Sequence, residues 1–557
     1  MNFKEIISEH YPDVAFDVLT TPDPKLGDYS VNLAFAIAKK EGKNPLDIAR
    51  ELAKIFSESE YFEKVEVAPP GFVNFFLKME FLQEQLEEIY QDVNYGLDDL
   101  GKDKKVIVEY SAPNIAKPMH VGHLRSTIIG DALANVYQAL GYKVIRWNYL
   151  GDWGTQFGNL IAAWKLWGNQ KALEKNPITE MLSLYVRFHE ELKSNPELEK
   201  QGQEEFKKLE ESDPENKKLW AWFLEESLKE FQKMYDLLGI KFDLVIGEST
   251  YEPELKPLIA RLEEERYVEV SQGSLIFNLE EFGLPPALIR KSDGSSLYLT
   301  RDIASLKHRV FDFRPDKILY VVANQQSLHF QQLFAIAKLL RLTEAELVHV
   351  KYGLVLGEEG KKFSTREGKT VSLEEVVEKV VNLAYSIVKE KNPELSDSQA
   401  HEIARAVGIG ALKYNDLKQH PYSDIVFDWK AMLDFTGNSG PYLQYTHARL
   451  ASILKKVSEN KVGSASELKE SEERAVMKQL LDYPEIIKKS AQLYMLNGLA
   501  LYLYELANRI NLFYERHRIL EDENKSRQAA RLLLVSTTKK VLKQGLQLLG
   551  IDTPERI

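Results

Sequence analysis

The stretch from Val106 to Gly158 constrains the fold of this chain most strongly. Its β-branched run VIVEY leads into a proline-containing loop, then into His120-Val121-Gly122-His123, and then into a helical pattern with Gly141 at its end. A second apolar run, YKVIRWNYL, follows from Tyr142. This order predicts a βαβ unit in which a strand, a tight turn and a helix N-terminus are joined.

The turn at His120–His123 predicts an anion site. Backbone N–H groups and the helix dipole point at whatever lies before a helix N-terminus, and two imidazoles add further donors. Gly122 has no Cβ, so a flat, bulky group could lie against the backbone there. The alternative is an ordinary pair of turn histidines. The flanking strands favour a site for a nucleotide whose α-phosphate is attacked.

The strings PNIAKPMHVGHLRSTIIGD and NYLGDWGTQFG resemble the first signature of the class I arginyl-tRNA synthetases. HVGH occupies the place of the HIGH signature of that class, and the flanking residues match the arginyl branch (Ser111, Asn114, Lys117, Arg125 and Ser126). The resemblance implies a doubly wound, Rossmann-like α/β catalytic domain with a helical insertion. It also implies a small α+β N-terminal domain that contacts the tRNA elbow and an all-α C-terminal anticodon-binding bundle.

The activity that the resemblance implies is the formation of arginyl-adenylate from L-arginine and ATP, with Mg²⁺ accompanying the ATP. Arginine is then transferred to the 3′ end of its tRNA, and activation requires that tRNA. The expected domains are residues 1–100, the catalytic domain 101–372 with its insertion at about 159–290, a helical connector 373–435 and the anticodon-binding domain 436–557.

The expected catalytic residues combine charge and hydrogen-bond donors. His120 and His123 can donate to phosphates, and Lys117 in the same loop can supply a full positive charge. By resemblance, the string Lys362-Phe363-Ser364-Thr365-Arg366 is the second class signature, usually KMSKS. Its second lysine is replaced by Thr365, and Lys117 is expected to substitute for it. The expected ATP-binding set is His120, Gly122, His123, Lys362 and Ser364. A Gly- and Lys-rich hairpin is the alternative for the second string.

The amino-acid pocket is expected to contain buried carboxylates, because a guanidinium is planar and always charged. Glu109, at the end of the first strand, and Asp302 are the candidates. Tyr298 and Asp302 are spaced i,i+4, which places them on one face of a helix. By resemblance the arginine-binding positions are Glu109, Asn114, His123, Tyr298, Asp302 and Gln326. The alternative for Asp302 is a helix cap or an ion pair with Arg301 or Arg309.

The string GNSGPYLQYTHARL begins the expected anticodon-binding domain. Tyr442 and Tyr445 could offer stacking faces to unpaired bases, and Asn438 lies in the loop before them. The alternative is that both tyrosines are core residues at helical spacing. The net charge of −12 opposes nucleic-acid binding only if it is taken as a whole, because a phosphate-binding footprint is local.

Composition bounds the remaining possibilities. The 557 residues allow several domains, and the absence of cysteine excludes disulfides and thiolate metal sites. No protein-bound metal is expected. The stretch LNGLALYLYELANRINLFYERH is interrupted by charged residues and predicts a core helix, not a membrane span. We expect a cytoplasmic monomer without a membrane partner.

Other functions compete with this interpretation. A small-molecule nucleotidyltransferase would not need nearly two hundred C-terminal helical residues. A non-catalytic RNA-binding relative would be expected to lose His120, His123 or the lysine string. Among synthetases, a glutamyl pocket needs a cation for its substrate, and a cysteinyl pocket commonly uses a thiolate-bound zinc, which this chain cannot build.

Overall fold

The computed structural model describes residues 3–21, 24–292, 297–356, 371–457 and 462–557. The first part is a small α+β module, as the sequence predicts. Its elements are α1 (Phe3–His10), β1 (Val18–Thr20), β2 (Tyr29–Val31), α2 (Leu33–Glu41), α3 (Pro45–Ser57), β3 (Phe62–Ala68), β4 (Phe72–Leu77) and α4 (Met79–Gln91). The strands form an antiparallel sheet in the order β1-β2-β4-β3. Asn44 caps α3 through a 2.9 Å bond from Leu46 N, and Pro45 takes the first helical position.

The middle of the chain carries a five-stranded parallel sheet in the order β12-β11-β5-β6-β7. In chain order its elements are β5 (Lys105–Glu109), α5 (Val121–Ala139), β6 (Lys143–Leu150), α6 (Thr155–Trp167), α7 (Gln170–Lys175), α8 (Pro177–Glu191), α9 (Glu197–Glu210), α10 (Pro214–Leu238), β7 (Leu244–Gly247), α11 (Glu252–Glu264), β8 (Glu269–Ser271), β9 (Ser274–Phe277), β10 (Ala287–Arg290), α12 (Tyr298–His308), β11 (Lys317–Ala323), α13 (Ser327–Leu339), β12 (Glu346–Tyr352) and β13 (Val355–Leu356).

The predicted unit of strand, histidine turn, helix and strand is confirmed as β5, α5 and β6. From the central β5 the chain adds β6 and β7 on one side, and later β11 and β12 on the other. The strand order therefore reverses between β5 and β11. In open α/β sheets, ligands bind in the crevice outside the carboxyl ends of the strands at such a reversal. This crevice lies beside Glu109, at the end of β5, and Asn324, which follows β11.

The segment after β6 is helical through α10, as predicted. The rest of the expected insertion (about 159–290) contains strands that the sequence analysis did not predict. β7 joins the main sheet parallel to β6, while β8, β9 and β10 form a separate antiparallel sheet. β7 is only four residues long and partly exposed at the sheet edge, and its apolar run of three residues, Leu244 to Ile246, is too short to indicate a strand.

The C-terminal part is almost entirely helical. It comprises α14 (Leu373–Lys391), α15 (Asp397–Leu417), β14 (Ile425–Val426), α16 (Trp429–Met432), α17 (Gly440–Lys455), α18 (Ser471–Leu481), α19 (Tyr483–Leu493), α20 (Asn497–Arg516) and α21 (Lys525–Leu548). Among the residues described in this part, β14 is the strand, and it pairs in parallel with β13. Within the described ranges, every helix is too short or too polar to cross a lipid bilayer. The stretch predicted as a core helix is α20, one face of which is buried, whereas Leu501 and Leu512 are exposed.

Helix α5 is the element that joins these parts. Its side chains are buried around nearly the whole circumference, because the sheet covers one side and helices of the C-terminal part cover the other. Tyr137 of α5 donates a 3.0 Å hydrogen bond to the carbonyl of Ala491 at the end of α19. The histidine turn at the N-terminus of α5 is therefore held by a helix that cannot shift without disturbing the core.

Candidate active site

The histidine turn orients both imidazoles through its own backbone. Nδ1 of His120 accepts a hydrogen bond from Gly122 N at 3.0 Å, and Nδ1 of His123 accepts one from His120 N at 3.1 Å. The two rings stack with centroids 3.9 Å apart. Burial and the neighbouring His120 lower the pKa of His123 to about 3. A neutral imidazole whose Nδ1 accepts must carry its proton on Nε2, so His123 presents Nε2–H as a donor.

Gly122 is required for a reason that the sequence did not reveal. A Cβ at this position would lie 2.7 Å from Cε1 of His120 and 2.9 Å from its Nδ1. A side chain there would displace the His120 ring from its bond with Gly122 N. The glycine therefore holds the ring in place, in addition to the open approach to the backbone that the sequence suggested.

The loop between β5 and α5 carries the two other residues predicted on this side. Asn114 is exposed and forms a β-bridge with Gly151, the first residue after β6. A Cβ on Gly151 would lie 1.9 Å from Oδ1 of Asn114, so only glycine permits this approach. Nζ of Lys117 lies 4.2 Å from the centre of the Tyr185 ring, on α8. The loop thus brings Asn114, Lys117 and the histidines to one edge of the sheet.

The predicted lysine string lies outside the described residues, and so do Lys362, Ser364, Thr365 and Arg366. The flanks of this string are described. Leu356 ends β13, and Ser372 forms an antiparallel bridge with His120. Leu373 N donates to the carbonyl of Met119 at 2.8 Å. The chain is therefore attached to the histidine turn at Ser372 and Leu373, where the described residues resume after the string.

Glu109 is buried and already has a partner within the chain. Its carboxylate forms an ion pair with Arg309, whose guanidinium also lies over the rings of Trp147, Tyr149 and Tyr320 at 4.6, 5.5 and 5.2 Å. Both charged side chains are almost completely buried. Burial raises the pKa of Glu109, and Arg309 opposes that shift. Any bound cation would share this carboxylate with Arg309.

Asp302 lies on α12 one turn after Tyr298, as the i,i+4 spacing predicts. Its Oδ2 is 2.6 Å from Nε2 of His329 on α13. Neither of the arginines considered from the sequence is paired with it. Arg301 binds Glu252 at 2.6 Å, and Arg309 pairs with Glu109. The His329 contact was missed, although His329 follows Gln326 by three residues in the string NQQSLHF.

Tyr298 and Gln326 present polar groups towards solvent at this edge. Tyr298 is 59% exposed, and Gln326 is exposed in the turn that follows β11. The site therefore has the buried carboxylate of Glu109 and the partly buried one of Asp302 at its base, and exposed polar groups at its rim.

A third acidic residue, Glu248, was not predicted. Burial raises the pKa of Glu248 to about 8, Arg301 opposes the shift from 4.0 Å, and the charges of Asp302 and Asp152 reinforce it. Asp152 itself accepts bonds from Ser249 N at 2.8 Å and from Ser249 Oγ at 2.6 Å. Glu248 directly follows β7, so missing that strand also meant missing this residue. Asp302 and Asp152 thus lie close enough to Glu248 to act on its ionisation, and the three carboxyl groups are together named the acidic pocket.

The residues predicted to contact tRNA lie in the C-terminal helical part. Tyr442 donates to Oδ1 of Asn508 at 2.7 Å and accepts from Asn511 at 3.0 Å. Tyr445 is partly exposed and lies under the guanidinium of Arg449 at 5.0 Å. Oδ1 of Asn438 accepts from Tyr414 at 2.7 Å. Both tyrosines are partly buried; the hydroxyl of Tyr442 is tied into the helix packing by two hydrogen bonds, whereas Tyr445 carries a guanidinium over its ring.

Three family models match this chain. They describe the catalytic domain of class I (R) tRNA synthetases over residues 85–429, a DALR anticodon-binding domain over 443–557 and an arginyl-tRNA synthetase N-terminal domain over 2–77. The chain is 43% identical to arginine–tRNA ligase 1 of Bacillus cereus over 545 residues, covering 97% of this chain and 96% of that protein. It is 42% identical to arginine–tRNA ligase of Enterococcus faecalis over 574 residues, with complete coverage of both.

Solved structures give the same result. Arginyl-tRNA synthetase of Thermus thermophilus superposes with a TM-score of 0.84 at 29% identity, covering 99% of this chain and 98% of the other. That of Plasmodium falciparum gives 0.82 at 29% identity, covering 100% and 98%.

Proposed function

Since the chain belongs to the class I arginyl-tRNA synthetases, we propose a role for each of its site residues. Those of the histidine turn act on ATP, and those around Asp302 bind arginine. The chain is an aminoacyl-tRNA ligase that uses ATP to join arginine to its tRNA. The observation that carries the proposal is that the histidine turn follows β5 and that His329, the partner of Asp302, follows β11, so the two groups flank the reversal of the sheet. In this proposal the turn binds phosphates, and Asp302 with its neighbours binds a guanidinium.

In the first step the carboxylate of arginine attacks the α-phosphate of ATP, a P–O bond forms, and pyrophosphate leaves. The protein contributes position and positive charge. His120, Gly122 and His123 hold the phosphates, His123 through its Nε2–H, and Lys117 supplies the full charge. Lys362 and Ser364 join them from the lysine string. Mg²⁺ enters bound to the ATP phosphates and neutralises part of their charge.

The acidic pocket selects arginine. Asp302 takes the guanidinium with Glu248 beside it, and Tyr298 and Gln326 close the rim. The pKa of Glu248, raised by burial, should fall towards its usual range as the guanidinium arrives. Asn114 and His123 hold the α-amino and carboxylate end, and Glu109, shared with Arg309, completes the negative surface. In the second step the 3′-terminal hydroxyl of the tRNA attacks the activated carbonyl, and AMP leaves.

The remaining proposals concern the tRNA contacts, the roles of the domains, the oligomeric state and the cellular location. Residues 436–557 contact the anticodon stem-loop through Asn438, Tyr442 and Tyr445. Residues 1–100 contact the elbow. Residues 101–372, with the insertion at about 159–290, perform the chemistry, and residues 373–435 connect the two halves. The chain acts as a monomer in the cytoplasm. Light scattering of the purified chain tests the first part, and a mass near twice 64.0 kDa would refute it.

Aminoacylation by the purified full chain tests the proposal. With ATP and arginine tRNA we expect acid-precipitable arginine together with AMP and pyrophosphate. Lysine and citrulline should not be charged, and canavanine should be the best of the poor substrates. The blank is the His120→Ala/His123→Ala variant. Charging of lysine with a kcat/KM near that of arginine would contradict the pocket assignment.

A further inference from the structure

The loop that carries Asn114 and Lys117 has an unusual backbone. Ser111, Ala112 and Ala116 have φ angles of +73°, +47° and +62°, although none of them is glycine. Residues with a Cβ rarely adopt this region, and they do so at functional sites only when the surroundings impose it. The loop therefore needs external partners to keep its shape.

Those partners are hydrogen-bond acceptors at each strained residue. Ser111 N donates to Ser126 Oγ at 2.9 Å, and Ala112 N donates to Oδ1 of Asn148 at 3.2 Å. Both acceptors belong to the α5 and β6 elements of the βαβ unit. The third residue, Ala116, donates its N–H to Ser227 Oγ at 2.9 Å. Ser227 is on α10, so this contact comes from the helical insertion.

The same insertion contacts the next residue of the loop. Nζ of Lys117 lies over the ring of Tyr185 on α8 at 4.2 Å. A ring attracts an ammonium group without cancelling its charge, whereas a carboxylate partner would neutralise it. Tyr235 of α10 adds a 2.8 Å hydrogen bond to Ser111 Oγ. Two helices of the insertion thus hold consecutive residues of the phosphate-side loop.

We propose that the helical insertion positions the catalytic lysine. Ser227 fixes the backbone at Ala116, and Tyr185 holds the Lys117 ammonium over its ring, in the loop that leads into the histidine turn. Ser227 and Tyr185 are positioning residues that act through Lys117. This inference rests on the phosphate-side role of Lys117 proposed above.

Tyr185 provides the first test, because it is only partly buried and its variants should fold. The readouts are kcat and KM for arginine and ATP in tRNA-dependent adenylate formation by the full chain. Tyr185→Leu should lower kcat about tenfold with arginine KM unchanged, and Tyr185→Phe, which keeps the ring, should stay within about twofold of the parent. Trp167→Leu is the matched control. It removes the ring under Arg187, 4.3 Å away on the same insertion, and should leave kcat unchanged.

The Lys117→Met background separates positioning from folding. There Tyr185→Leu should have no further effect on kcat, because the lysine that it positions is gone. An equal loss in both backgrounds would overturn the proposal, and so would a Tyr185→Leu variant that is as active as the parent or more active. If Lys117→Met alone leaves kcat unchanged, the role proposed for Lys117 fails. That outcome is distinguishable from a failure of the positioning role of Tyr185.

Ser227 gives an independent second test. Ser227→Ala removes the acceptor for Ala116 N and also a 2.6 Å bond from its hydroxyl to Phe223 O. Ser490→Ala is the control, since buried Ser490 makes the same kind of i−4 bond, to Ile486 O at 2.9 Å. Ser227→Ala should lower kcat, but not in the Lys117→Met background, while Ser490→Ala should not change kcat. Equal behaviour of the two alanine variants would overturn the assignment of Ser227.

Discussion

Nε2 of His329 lies 2.6 Å from Oδ2 of Asp302, so the aspartate assigned to the substrate guanidinium is already paired with a residue of the chain. Arginine must therefore share or replace this partner when it binds. Burial lowers the pKa of His329, but the hydrogen bond and charge of Asp302 outweigh it and raise the pKa above 6.5. The pairing makes Asp302 the residue whose charge and neighbour most directly determine arginine affinity.

Replacing Asp302 should weaken arginine recognition. Asp302→Asn preserves size but removes the charge, and stranding one partner of a charge pair costs about 2–5 kcal/mol in kcat/KM for arginine. Steady-state aminoacylation measures the effect. The control is Asp312→Asn, whose carboxylate lies 3.1 Å from His308 at the exposed end of α12. An unchanged kcat/KM in Asp302→Asn would remove this residue from the pocket.

The arginine KM should fall as pH rises. Protonated His329 competes with the substrate for Asp302, and it loses its proton as pH rises through its raised pKa, above 6.5. The stability that this ion pair adds is fully present below the unfolded-state pKa and is lost over the same rise. Glu109 also acts on His329, raising its pKa further. In His329→Gln the arginine KM should depend on pH less steeply between about pH 6 and pH 8 than in the parent, and Glu248, whose pKa is about 8, should account for the remainder. A slope as steep in His329→Gln as in the parent would assign all of it to another group.

The Glu109–Arg309 pair should dominate local stability. Arg309→Met leaves a buried carboxylate without its counterion and should lower the apparent free energy of unfolding in urea by about 3–5 kcal/mol. The Glu109→Gln/Arg309→Met double variant should lose less than the two single variants together. Arg290→Met, which breaks a more exposed pair with Glu263, should cost less than about 1 kcal/mol. Strict additivity would mean that the two side chains do not stabilise each other.

Lys117 should act mainly on kcat. Lys117→Met should lower it by about a hundredfold or more with arginine KM little changed, because charge aimed at a developing oxyanion contributes only in the transition state. Thr365→Lys in the same chain should restore part of the loss if the two positions share one role. Pyrophosphate exchange without tRNA should be negligible in the parent. A Lys117→Met/Thr365→Lys variant as slow as Lys117→Met would contradict the idea that Lys117 replaces the signature lysine. The family assignment would not be affected.

Affinity for tRNA should depend on Tyr445 and on salt. Tyr445→Ala should weaken binding by about 1–3 kcal/mol, the value of one stacked base, and Tyr445→Phe should not. Affinity should fall steeply between low and physiological salt as counterions are released. Filter binding at several salt concentrations measures both. Deleting residues 439–557 is a poor test, because α5 is covered by helices of that segment. Unchanged affinity in Tyr445→Ala would move the contact elsewhere.

Local sequence patterns predicted the helices and strands whose boundaries are indicated by residues close together in the chain. The run VIVEY, the histidine turn and Gly141 delimit β5 and α5, and the i,i+4 spacing of Tyr298 and Asp302 places both on α12. These features depend on backbone periodicity and capping, which neighbouring residues determine.

Long-range pairings could not be predicted in the same way. Arg309 and Glu109 are 200 positions apart, and Ser227 meets Ala116 only because α10 crosses the loop. The edge strand β7 was missed because its four residues carry too little apolar pattern, and Glu248 was missed with it. Tertiary packing makes these contacts, and a single sequence does not contain a local signal for them.

The bond from His120 N to Nδ1 of His123, and that from Gly122 N to Nδ1 of His120, give the two nitrogens of each imidazole different roles. Nδ1 closes the turn, and Nε2 is the outward donor. Asparagine places an acceptor where Nδ1 lies, and glutamine places a donor near the position of Nε2. Asparagine at either position would preserve the closed turn while removing the outward donor. Glutamine would do the reverse. The architecture of the turn and its affinity for phosphate can thus be altered one at a time, by two amides that differ by a single methylene.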